Sequence, residues 1–144
     1  MRLARTLLGV IALAMLMLAP VRAQAPAVAD EADWQRVITA QIEAFRGGDA
    51  TGAFGYAAAP FKLSFPDAET FYAVILGTGY APIAQSSNHS FGQFRLVDEA
   101  LVMQIVRLVG AEDGRFDALY QLVREPDGWR VQGVQLQKSS AIDI

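Results

Sequence analysis

Cysteine is absent from all 144 residues. That excludes disulfides, thiolate metal sites, a cysteine nucleophile and a lipid-modified cysteine, so the hydrophobic core alone must stabilise the domain. Histidine occurs once, at His89, inside the polar segment Ser86-Ser87-Asn88-His89-Ser90. A single histidine leaves zinc only carboxylates as further ligands and supports no Ser-His-Asp arrangement; His89 is expected in a loop. A phosphate loop is missing too, because Gly47-Gly48 and Gly77-Thr78-Gly79 end predicted helices where a nucleotide site would open them after a strand. No metal and no cofactor are expected.

Basic charge is scarce, with 12 Lys and Arg against 15 Asp and Glu. Three of those arginines lie at the N-terminus. Arg2 and Arg5 precede an apolar run over residues 6–19, and Val21-Arg22-Ala23 carries small residues where a signal peptidase requires them. Residues 1–23 therefore read as a signal peptide cleaved after Ala23; the run is shorter than the roughly 20 residues a spanning helix needs. Losing Arg2, Arg5 and Arg22 takes the formal charge from −3 to −6. An acidic mature domain argues against nucleic acid or an anionic membrane surface as partner. The periplasm is the expected compartment, with secretion as the alternative. Residues 24–31 (QAPAVADE) lack periodicity and read as a flexible leader, leaving 32–144 as a single domain.

The domain opens with a strong helical signal. At about 100° per residue, Trp34, Val37, Ile38, Ile42 and Phe45 fall in one stripe, opposite Arg36, Thr39, Glu43 and Arg46. Asp33 is the expected N-cap, and Gly47-Gly48 supply the positive φ that ends the helix. Gln41 sits in the middle of the apolar stripe, where an unpaired amide would cost about 1–3 kcal/mol. It is expected either to bond backbone or a buried water, or to serve as a polar anchor inside a pocket.

A short second helix follows Asp49, and Pro60 is expected to hold Ala59 extended. Phe61, Leu63 and Phe65 alternate with polar residues as in a short strand. Pro66-Asp67 then start a helix running to about Leu76, with Ala68, Phe71, Val74 and Ile75 on one face. Residues 85–90 read as a mobile loop. From Phe91 the period becomes 2, predicting strands over 91–97, 101–109, 115–124 and 129–138, with a tight turn at Pro126-Asp127-Gly128. Trp129 and Val131 are out of phase with Val134 and Leu136, which predicts a bulge at Gly133. The strand 101–109 is apolar on both faces; pairing of two sheets in a homodimer is one way to cover the second.

Helices followed by a long antiparallel meander make an α+β domain in which a strongly bent sheet wraps the N-terminal helices. On Trp34 with Val37-Ile38, Gln41-Ile42, Ala44-Phe45, Asp49, Ala58-Ala59-Pro60, Phe71, Gly79-Tyr80 with Pro82, and Gly128-Trp129-Arg130-Val131 with Gly133-Val134, the chain resembles the nuclear transport factor 2-like superfamily. This is the cone-shaped α+β fold shared by ketosteroid isomerase and polyketide cyclases. More closely, it is similar to the bacterial exported family called domain of unknown function 4864. The resemblance covers nearly all of the mature chain and implies a cone with a pocket, while one fold serves many tasks.

No complete catalytic motif is present. An isomerase-like enzyme would need a carboxylate and a donor such as tyrosine converging in the cone. Asp49 and Asp67 read as helix caps instead, Asp117 lies on the strand face opposite Tyr120, and Tyr56, Tyr72, Tyr80 and Tyr120 read as core residues with polar tips. Among the strand glutamines, Gln104 shares a face with Val102 and Val106, and Gln121 with Leu119 and Val123, so both are candidates for partial burial. The candidate ligand pocket is Trp34, Gln41, Tyr56, Phe71, Tyr120 and Gln121. The expected role is non-enzymatic binding of a small apolar or amphipathic ligand or a protein partner; the alternatives are an isomerase- or cyclase-type enzyme and a structural dimeric accessory protein.

Overall fold

The computed structural model describes residues 31–139; the expected signal peptide, its expected cleavage point at Ala23 and most of the expected leader lie outside them. Among the described residues five α-helices, α1 (Asp33–Arg46), α2 (Ala50–Gly55), α3 (Ala59–Ser64), α4 (Ala68–Ile75) and α5 (Ala81–Gln85), precede four strands. The strands β1 (Asn88–Asp98), β2 (Leu101–Val109), β3 (Arg115–Glu125) and β4 (Gly128–Lys138) form an antiparallel sheet in sequence order. Register shifts between Phe91 and Phe94, between Leu96 and Asp98 and between Gln121 and Leu122 bend it around the helices. The inner face of β2 and β3, Val102, Gln104, Val106 and Leu108 with Ala118, Tyr120 and Leu122, is buried under α1 and its neighbours. On the outer face Met103, Ile105, Leu119 and Val123 are only half-buried.

The stripe of α1 forms as its periodicity requires, with Ile38, Gln41, Ile42 and Phe45 buried. Its cap is one residue earlier than expected. Gln35 Oε1 accepts from the Ala32 amide at 3.0 Å, which makes Ala32 the N-cap and moves Asp33 into the first turn, where it pairs with Arg36. The left-handed residue after α1 is Gly48 (φ 69°), whereas Gly47 is right-handed (φ −84°). Asp49 and Asp67 cap α2 and α4 through the Gly52 and Thr70 amides. The bond from Thr70 holds the Asp67 carboxyl below its ordinary value.

Three other expectations are corrected. Residues 61–64 are helical, because Pro60 occupies the first turn of α3, where a missing N–H leaves no bond unmade, and Ala58 rather than Ala59 is extended (ψ 160°). Phe61 and Phe65, four apart, then stack at 6.5 Å, while Leu63 is exposed. On α4 the buried side is Phe71 with Tyr72 and Ile75 packed beside it, and Val74 faces solvent. The segment 85–90 is not a loop: α5 ends at Gln85 and β1 starts at Asn88, since Asn88, His89 and Ser90 pair with Val109, Leu108 and Arg107. Backbone pairing to a buried neighbour overrides the polar side chains there.

The bulge in β4 stands beside Gly133, and Gln132 is the extra residue, skipped between the Gln121–Gly133 and Leu122–Val131 pairs. Val131 also reaches across to the helical half. Its amide donates to the Tyr56 carbonyl and its carbonyl accepts from the Ala58 amide, both at 2.8 Å, in a parallel bridge with Ala57.

Candidate functional site

A partly open cavity of about 250 Å³ lies between the helices and β4. Gln41 and Phe45 of α1, Phe61 of α3, Phe71 and Ile75 of α4, Tyr80, Ile83 of α5, Ala57, and Val131, Gly133 and Val134 of β4 line it. Each wall has a local cause. Phe71 lies 5.0–6.3 Å from the rings of Phe45, Phe54, Phe61 and Phe65, forming one aromatic side. The bulge at Gln132 rephases β4 so that Val134 as well as Val131 turns inward. After α4 the chain widens into a single π turn, Leu76–Tyr80, whose Gly79 adopts φ 104°; this left-handed step suits glycine and carries Tyr80 to the cavity wall.

Gln41 and Tyr80 are the lining residues with polar side chains. Gln41 is 4% exposed, and its one side-chain bond among the described residues runs from Nε2 to the Ala53 carbonyl at 3.0 Å. Because a carbonyl can only accept, this bond fixes the amide orientation, with Nε2 towards Ala53 and Oε1 away from it. The Tyr80 hydroxyl donates to the Val134 carbonyl at 2.9 Å. Among the described residues no carboxylate, lysine, arginine or histidine lines the cavity.

Of the six residues expected in the pocket, Gln41 and Phe71 line this cavity. Trp34 shares the buried face of α1 with Gln41 but lies seven residues, about 10 Å, further along the axis. There its Nε1 donates to Gln104 Oε1 and its ring packs on Phe94 and Trp129, beside a separate open hollow. Tyr56 is half-buried and outside the lining; in the extended bridge to Val131 its neighbour Ala57 takes the inward position. Tyr120 is enclosed by the core, where burial pushes its phenol well above the ordinary range against a small opposing pull from Arg46. Gln121 belongs to the outer face of the sheet and donates to Gln132 Oε1 at 3.1 Å, so it is withdrawn from the pocket. Tyr80, Ile83, Phe61 and Val134 were outside the predicted set; the spacing of Phe61 and Phe65 by four was the available signal for α3.

Gln104 is completely buried and serves structure. Its Oε1 accepts from Trp34 and Gln35, and its Nε2 donates to the Gly92 and Ile105 carbonyls at 3.0 and 2.9 Å, tying α1 to the bulged β1. Asp117 is on the outer face, opposite Arg107 across β2 and β3.

His89, placed on β1, joins a second polar cluster. Arg46 Nη2 donates to its Nδ1 at 3.2 Å, which leaves Nε2 to carry the proton towards Thr39 Oγ1 at 3.0 Å; Thr39 in turn donates to Glu31, and Arg46 Nε donates to Ser86 Oγ. Burial first, and then Arg46, hold the His89 pKa below its ordinary value of 6.5, with Glu31 and Glu43 pulling the other way. The unfolded chain binds that proton more readily, so this contribution to stability is complete above the ordinary value and is lost as pH falls through the folded one. Thermal melts from about pH 7.5 to 5.5 are expected to fall more steeply for the wild type than for His89→Asn. Parallel melting curves for the two proteins would remove His89 from this role.

Among the described residues no cluster of His, Asp and Glu is arranged to hold a metal, and no helix is long and apolar enough to cross a membrane. The fold is that of known α+β domains. A domain of unknown function with a cystatin-like fold from Nostoc punctiforme superposes with a TM-score of 0.55 at 14% identity, over 80% of this chain and 80% of that one. An NTF-2 like protein of unknown function from Silicibacter pomeroyi superposes with a TM-score of 0.50 at 12% identity, over 74% of this chain and 93% of that one. At these identities the likeness shows the fold alone, an α+β domain with helices packed on an antiparallel sheet. No curated protein matches the chain in sequence. The family model for a domain of unknown function, DUF4864, matches residues 27–144, and the chain belongs to that family.

Proposed function

We propose that this chain is an exported domain that binds a small, largely apolar molecule in the cavity between its helices and β4. Export is supported by the basic start, apolar run and Ala23 cleavage signal in residues 1–23. Binding is carried by one observation, an apolar cavity of about 250 Å³ with the buried Gln41 amide set in its wall. Such a volume accommodates roughly one substituted ring, since engineered cavities of about 150 Å³ take benzene. Convergent polar groups in an apolar hollow are the usual composition of a small-molecule site.

The isomerase-type alternative is less well supported. Among the described residues no carboxylate lines the cavity to act as base, and the Tyr80 proton is already committed to Val134. Holding a molecule needs neither group.

Native mass spectrometry of the mature protein purified from its own host tests the reading. The expected result is an adduct of defined mass that dissociates on denaturation and is missing from Ile75→Trp, where the larger ring occupies the cavity. A wild-type protein that is empty from its host and takes up no apolar probe would overturn it.

A further inference from the structure

Resting on that reading, we infer that the ligand is a neutral molecule that presents a hydrogen-bond donor, a hydroxyl or an N–H, to Gln41, and that carries no ionised group. The argument is a count of hydrogens in the cavity wall. Tyr80 has a single proton, and it goes to the Val134 carbonyl, so towards the cavity its oxygen can only accept. Gln41 uses one of its two Nε2 hydrogens on the Ala53 carbonyl. Oε1 has no protein donor among the described residues and is not sealed from solvent, as an atom at the wall of a partly open cavity would be. Among the side chains of the described lining residues, two acceptor oxygens therefore meet at most one spare donor.

That imbalance selects ligand chemistry. A carboxylate or phosphate would bring only acceptors to oxygens that already lack donors, and no cation among the described lining residues would compensate its lost hydration. An ammonium could donate to the same oxygens and meet the aromatic faces, but among the described lining residues no carboxylate offsets its lost charge hydration, which a neutral hydroxyl does not lose. A ketone, the kind of group that an oxyanion hole polarises, meets the same shortage of donors. A hydroxyl fits: it donates to Oε1 and can accept the second Nε2 hydrogen, while its apolar body rests on the rings. The wall is thus complementary to a small alcohol, phenol or primary amide.

Titration calorimetry of the ligand-free mature protein with four matched probes tests this. Para-propylphenol donates, para-propylanisole retains the oxygen but cannot donate, propylbenzene has no oxygen, and para-propylbenzoate is ionised. The phenol is expected to bind roughly five- to tenfold more tightly than the anisole and the hydrocarbon, and the benzoate not to bind. Gln41→Met, which keeps the bulk, is expected to remove most of the phenol's advantage, and Tyr80→Phe a smaller part. Should Gln41→Met fail to fold, the comparison of phenol with anisole on the wild type still decides. Equal affinity of phenol, anisole and hydrocarbon would overturn the donor requirement while leaving an apolar-binding cavity in place. Tighter binding of the benzoate would overturn the neutrality requirement, and no binding of any probe would overturn both this inference and the binding function.

Discussion

Phe71→Ala is expected to lower the unfolding free energy by about 3–5 kcal/mol, the usual cost of removing a buried aromatic ring. Phe71 is 3% exposed and its ring is the common neighbour of Phe45, Phe54, Phe61 and Phe65. Those four side chains come from α1, α2, α3 and the residue following α3, so the ring joins short helices that have little stability alone. Removing it leaves a void next to an existing cavity, which limits how far the surroundings can collapse. For a domain of this size the loss corresponds to a fall in melting temperature of more than about 10 °C. Urea denaturation monitored by fluorescence checks it; a loss below about 1 kcal/mol would show that the aromatic cluster is not what holds the helices together.

Gln104→Leu should destabilise the fold by about 3 kcal/mol or more, even though leucine matches the buried volume closely. The substitution strands the indole N–H of Trp34, one amide donor of Gln35 and the carbonyls of Gly92 and Ile105, and a buried group without a partner costs about 1–3 kcal/mol. Water reaching the half-buried Trp34 offsets some of that. The near-ultraviolet dichroism of the tryptophans should change with it, because the Trp34 indole loses its hydrogen bond to Gln104. Gln121→Leu is the matched control on the outer face, expected within about 0.5 kcal/mol of wild type. Equal effects from the two substitutions would mean that the Gln104 network contributes nothing beyond shape.

These two glutamines also show where the sequence was informative. Period-2 patterning located β2, β3 and β4 to within a residue, and the phase break at Gly133 revealed the bulge. Asp49 and Asp67 were legible as caps because the acid, the following small or polar residue and the helical pattern agree. Gln41 stood out as an amide in an apolar stripe. Gln121 could not be placed, since both faces of β3 carry apolar side chains and parity alone does not say which one meets the helices. The short helices were obscured for a different reason: in α3 and α5 a proline in the first turn and so few residues leave no periodicity to detect. The cavity itself is a product of long-range contact, and Tyr80 reaches it only through the π turn and the left-handed Gly79.

The clamp between Val131 and residues 56–58 has a consequence for biogenesis. It joins the helical half of the domain to the last strand, a contact of high sequence separation whose loop must close before either side is rewarded. A nascent chain that has not yet delivered β4 possesses α1, α4 and their apolar faces but neither the clamp nor Val134, the acceptor of the Tyr80 proton. Such a chain stays open to chaperones and proteases. The ligand-holding proposed above therefore requires β4, and clipping within that strand is expected to remove the clamp and the Tyr80 acceptor together, opening the helical half to proteolysis.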